Sequence, residues 1–164
     1  MSRPKRHAES VEPFEDPLSD FEPRQYADEL ERALSEQPVS DIVSKPVTTI
    51  GPDTSIYDAM QQMDLLGISC LLVAEDDRLV GVFTERDVLN KIADHYDTMK
   101  DHPVSEVMTA EPVTVYETDR ASVALCVIAV SGLRHVPVLD VDGKPVGVVS
   151  PRRVTSFLQE YFAE

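Results

Sequence analysis

The chain has 164 residues, 42% of them hydrophobic, which is enough for one domain or two small ones with a real core. Against 15 basic residues stand 30 acidic ones, and the formal net charge of -15 gives a surface that repels nucleic acid and anionic membranes. The longest apolar run, VALCVIAV at 123–130, is too short to span a bilayer, and the N-terminal stretch has no apolar segment of signal-peptide type, so the expected compartment is the cytoplasm.

Residues 1–22 are polar, punctuated by proline and free of periodicity, and read as a disordered acidic tail. Residues 23–37 read as an amphipathic helix that opens at Pro23, with Tyr26, Leu30, Ala33 and Leu34 at helical spacing. A helix this short is not stable alone, so it is expected to lie on the body of the protein or on a partner chain.

From residue 38 the sequence repeats itself. SKPVTTI (44–50) returns as AEPVTVY (110–116), IYDAMQQMDLLG (56–67) as ASVALCVIAVSG (121–132), and LVGVFTERDVL (79–89) as PVGVVSPRRVT (145–155). The offset of 65 grows to 66 after the second copy's VDGK turn, where an insertion costs least. Two copies of this length indicate a duplicated small domain, over 38–100 and 101–164.

Each copy reads as β-α-β-β-α. An extended piece carrying PVT precedes a helix, and in copy one Ile56, Ala59, Met60 and Met63 share a face with Gly67 at the C-terminal stop. Two strands follow, SCLLVA and LVGVF in copy one, HVPVLD and PVGVV in copy two, the latter joined by an Asp142-Gly143 turn. A last helix closes each copy. The copy-two helix at 121–131 is apolar nearly all round, which predicts burial on several sides and packing of the copies on each other. Cys70 and Cys126 sit in apolar runs and read as buried small hydrophobes in a reducing compartment. Asp94, His95, Asp97, Asp101 and His102 fall in the connector without compact ligand spacing and read as solvated linker, so no metal is expected. No nucleophile elbow, phosphate loop or zinc-protease motif is present, which argues against an enzyme.

The recurring frame is the informative one. GVFTERD (81–87) returns as GVVSPRR (147–153): the glycine, two apolar residues, a hydroxyl and an arginine persist, but Asp87 becomes Arg153. Thr84-Glu85-Arg86-Asp87 is a capping-box pattern, which needs no ligand. In copy two Ser150 suits the N-cap and Pro151 the first helical position, so a helix can start there without the acid.

Order, duplication and motif together resemble the CBS domain pair, or Bateman module, over residues 38–162. The resemblance implies an α/β (α+β) fold of two tandem repeats packed as a pseudo-symmetric pair, usually doubled into a homodimer, which regulates a partner protein and often binds AMP, ADP, ATP or S-adenosylmethionine between the repeats. No cofactor is required; the adenine nucleotide is a regulatory ligand. It further implies that Asp87 accepts hydrogen bonds from both ribose hydroxyls, a fit of two acceptor oxygens to two donors, with Thr84 at the phosphate-facing helix start. Arg134 and His135, at the mouth of a copy-two strand, would reach the phosphates, and Thr48 and Thr49 in PVTTI would offer backbone and hydroxyl groups. Asp87 therefore carries two readings, ligand contact and helix cap. The other site would pair Arg153 with Ser69 and Cys70, and lacks the diol acceptor and the basic pair. The resulting expectation is one competent nucleotide site, preferring AMP or ATP to S-adenosylmethionine because Arg134 and His135 favour an anion. The alternatives are a ligand-free dimerisation or interaction module and an S-adenosylmethionine binder.

Overall fold

A computed structural model describes residues 24–162, and the expectation for the tail at 1–22 lies outside them. Helix α1 spans Glu29–Glu36, so it begins later than Pro23. The reason is Asp28, whose Oδ1 accepts from the Glu31 amide at 2.7 Å while Glu31 Oε2 accepts from the Ala27 amide at 2.6 Å, a reciprocal cap at the first turn. Ala33 is buried in copy two's core, and Gln37 Nε2 donates to the Tyr161 hydroxyl at 2.7 Å. The N-terminal helix thus rests on the second copy.

Copy one comprises β1 (Thr49–Ile50), α2 (Ile56–Leu66), β2 (Cys70–Glu75), β3 (Arg78–Thr84) and α3 (Glu85–Asp87), with α4 (Tyr96–Met99) in the connector. The single closing helix expected after β3 is broken: α3 widens into a π turn over Val88–Ile92 and tightens into a 3-10 turn at Ala93–His95. Copy two comprises β4 (Thr109–Ala110), β5 (Val115–Tyr116), α5 (Ala121–Ser131), β6 (Val136–Leu139), β7 (Pro145–Val149) and an unbroken α6 (Pro151–Gln159). In each copy the PVT strand runs parallel to the next strand, which then pairs antiparallel with the last. The helices between them end as their glycines predict: Gly67 and Gly132 adopt left-handed φ of 61° and 64°.

The copies exchange their leading segments. Val39, Ile42 and Val43, which open copy one, are buried in copy two's core; Val104 and Val107, which open copy two, are buried in copy one's. The backbone bonds are reciprocal. Val39 N donates to Asp119 O at 2.7 Å and Val104 N to Thr54 O at 2.9 Å; Ala121 N donates to Gln37 O at 2.8 Å and Ile56 N to His102 O at 2.9 Å. The exchange continues into the sheets, where β4 pairs with β3 and Ser44 bridges to Val148 of β7.

This exchange accounts for the persistent glycine. A Cβ at Gly81 would collide with the Met108 side chain, and one at Gly147 with Val43 Cγ2 and, at 2.8 Å, with the Ser44 carbonyl oxygen. Each glycine lets the other copy's leading segment lie against its strand.

Two expectations of burial are corrected. Cys126 is exposed and Cys70 only half-buried. Helix α5 buries Ala121 and Ala124, whereas Val123 and Val130 are 40% and 88% exposed. One chain supplies neighbours for one side of this all-apolar helix and leaves another side open.

Candidate functional site

The exchange creates two clefts between the copies. The first, of about 600 Å³, opens over the start of α3. Its walls include Thr84, Arg86 and Asp87 from copy one, and Val113, Arg134 and Arg152 from copy two. His135 also reaches it, so four of the six residues singled out from sequence meet in one cavity. Three arginines line it together with three carboxylates, Glu85, Asp87 and Glu111, so the lining is formally balanced in a chain of net charge -15.

The other two residues stand elsewhere. Thr48 lines a second cleft of about 470 Å³, and Thr49, exposed in β1, lines neither. The PVT edge at the first cleft belongs to copy two, as Pro112 and Val113. The physical reason is the pairing of β4 with β3, which draws the residues after Ala110 along Thr84's strand. The signal was present in the repeat, since Pro46-Val47-Thr48 maps onto Pro112-Val113-Thr114; what it lacked was which copy's edge meets which acid.

Asp87 is the only buried charged residue among those described, at 5% exposure, and its carboxylate is engaged. Oδ2 accepts from the Thr84 amide at 3.0 Å and from the Thr84 hydroxyl at 2.7 Å, the reciprocal half of a capping box in which Thr84 Oγ1 faces the Asp87 amide at 3.4 Å. Oδ1 accepts from Lys91 Nζ at 2.7 Å, and Lys91 also donates to the Val107 carbonyl. The carboxylate thus ties the start of α3 both to the π turn and to the exchanged segment of copy two. Sequence reading missed Lys91, although its i+4 spacing from Asp87 signals an ion pair.

His135 stands between the clefts and lines both. Its Nε2 lies 2.9 Å from the Ser69 hydroxyl. Burial, reinforced by the Arg134 charge and opposed by Glu85, holds its pKa below 6.5. Near neutral pH it is therefore a neutral hydrogen-bonding group, and the positive charge expected of it is supplied by arginine instead.

The second cleft is lined by Thr48, Ser69, Cys70, Arg152 and Arg153 with His135. Ser69, Cys70 and Arg153 meet as the sequence implied. The expected lack of basic partners is corrected, because Arg152 at the start of α6 faces both clefts. Burial pushes the Cys70 thiol up to about 12, so it is no nucleophile at neutral pH. Among the described residues no group of His, Cys, Asp and Glu could hold a metal, and no helix is long and apolar enough to cross a membrane.

The family model of the CBS domain matches residues 39–94 and 104–160. The chain belongs to the CBS domain family. The CBS fold, two tandem repeats of mixed α/β structure, is shared with solved relatives. A crystal structure of a CBS domain superposes with a TM-score of 0.68 at 34% identity, covering 75% of this chain and 98% of that one. The protein CBSX2, solved in complex with AMP, gives 0.65 at 25% identity, covering 75% and 96%. Among curated proteins, an uncharacterized 17.7 kDa protein of Acidianus ambivalens is 34% identical over 70% of this chain and 68% of its own length. Inosine-5'-monophosphate dehydrogenase of Methanocaldococcus jannaschii is 30% identical over 70% of this CBS chain but only 22% of the dehydrogenase, so the likeness covers a minor part of that protein.

Proposed function

We propose that this CBS pair is a regulatory module that binds an adenine nucleotide in the first cleft and acts through a partner protein or a rearranged dimer, without catalysis of its own. The observation that carries this is the meeting of Thr84, Arg86 and Asp87 with Arg134 and Arg152 across the copy boundary. Arginine forks suit a phosphate, and a carboxylate suits a ribose diol. The AMP complex of the relative CBSX2 supports the ligand class. Here a ribose has to take the place of Lys91 on Asp87 Oδ1, so binding and release of Lys91 are coupled. Ligand then favours one arrangement of the α3 start and the exchanged segment, which is the differential binding a sensor needs.

The module acts as a homodimer in this reading. Leu65 and Val130 occupy equivalent positions in the repeat, at the C-terminal ends of α2 and α5, and are 84% and 88% exposed. Symmetric apolar ends on an otherwise acidic chain suit a second copy.

Calorimetric titration with AMP, ATP, adenosine and S-adenosylmethionine tests the ligand, with Arg134→Ala beside the natural protein. The expected result is AMP binding near one per chain, weakened by about 1.5–3 kcal/mol in the variant, with adenosine little changed. No heat and no thermal shift with any of the four would leave the ligand-free dimerisation module. That second reading draws on the same carboxylate, since Asp87 is already satisfied by Thr84 and Lys91.

A further inference from the structure

We infer that a second copy of this chain seats on the open side of α5, helix against the same helix across a two-fold axis, with the α2 helices left apart. The inference rests on the homodimer reading and names the surface that makes it. Four outward positions of α5, Val123, Cys126, Ala129 and Val130, are exposed and apolar. Their equivalents in α2, at the 65-residue offset, are Asp58, Gln61, Asp64 and Leu65, exposed as well. The two copies therefore present the same face of the same helix with opposite character, one apolar throughout and one largely polar and acidic.

Charge selects among the possible pairings. Each chain carries a formal net charge of -15, so two copies approach at least cost where neither brings a carboxylate. Among the described α-helices, α5 is the one without a charged residue. Pairing α2 with α2 would set Asp58 and Asp64 of one chain against the same two of the other, four carboxylates with no cation in either helix. Pairing α2 with α5 would cover both aspartates with valines and leave them without a partner. Pairing α5 with α5 buries valine on valine and no charge. A two-fold contact joins a patch to its own copy, which this uniform stripe allows. Cys126 stands in the middle of the stripe, and it and Ala129 are small, so the helices can close and bring each Cys126 beside its counterpart.

Sedimentation velocity over a concentration series tests this on the full chain, on Val130→Glu and on Leu65→Glu. These two residues are equivalent in the repeat and almost equally exposed, and matching circular dichroism checks that the fold is kept. The expected result is a dimer whose dissociation constant rises at least tenfold in Val130→Glu and less than twofold in Leu65→Glu. A short bis-maleimide should then join two chains of Cys70→Ala through Cys126, and should join none when Cys126→Ala and Gln61→Cys are added. A dimer weakened equally by both glutamates, or weakened only by Leu65→Glu, would overturn the pairing and leave the homodimer reading standing. So would cross-linking through Gln61→Cys, or its absence at Cys126 in a chain that sediments as a dimer. A chain that stays monomeric at the highest concentration measured would sink both readings and leave α5 to a different partner.

Discussion

The two copies begin their last helices differently. In copy one the start is closed by the protein itself: Thr84 and Asp87 satisfy each other, and Lys91 neutralises the remaining oxygen. In copy two Ser150 makes no side-chain cap, Pro151 removes the first orphan amide by having none, and Arg153 points to a carboxylate-free cleft. The helices differ as well. In the copy with the satisfied cap α3 passes into a π turn that contains Lys91, while the copy without it runs as a regular α6. Duplication kept the frame and let its chemistry diverge, and the position that diverged faces a cleft in each case.

Four measurements would break or sharpen this comparison. The largest effect is expected from Gly147→Ala, at about 3 kcal/mol by chemical denaturation, because the new Cβ meets Val43 and a backbone oxygen that cannot yield. Gly81→Ala should cost nearer 1 kcal/mol, since its obstacle is the flexible Met108 side chain. Equal costs would mean that the exchanged segments are not held as asymmetrically as they look.

Asp87→Ala comes next, with an expected loss of about 2 kcal/mol of stability before any ligand is added, because it removes the acidic half of the capping box and strands Lys91. Copy two, where the sequence lets a helix start without the acid, suggests the opposite view, that the fold has no need of it. An unchanged midpoint would restore that view and leave Asp87 free for a ligand.

The third measurement is pH dependence. His135 has a native pKa below 6.5, so the unfolded chain takes up its proton first as pH falls. Its contribution to stability is full above about pH 6.5, and it is lost as pH drops from there through the native value. His135→Gln should remove that part of the slope. A slope that persists unchanged would assign it to other groups.

The smallest effect is expected from Arg153→Asp, which gives copy two the box of copy one. An acid at the helix start in place of a cation should raise stability by about 0.5–1 kcal/mol, read as a higher Tm. A fall would mean that Arg153 makes a stabilising contact of its own.

Much of this was legible in the residues. The 65-residue offset, the helix between PVT and each Gly67 or Gly132 stop, the hairpin at Asp142-Gly143 and the capping box at Thr84 are all local patterns, and the structure keeps each one. The meeting of Thr84 and Asp87 with Arg134 and His135 followed from treating the copies as a pair. The helix start at Asp28 was misjudged because Pro23 stood out more than the cap, and the break after Asp87 because no proline or glycine marks it.

By itself the sequence determined that the protein is a tandem duplication with one acid where its copy has an arginine, because period, caps and turn residues act over a few neighbours. Tertiary structure alone decided that Val39 and Val104 would trade cores, that Val113 rather than Thr48 would face Asp87, that Lys91 would hold that carboxylate, and that Arg152 would serve both clefts. Those choices depend on which surfaces close over the exchanged segments, and the free energy that selects them comes from burial and strand pairing between residues tens of positions apart.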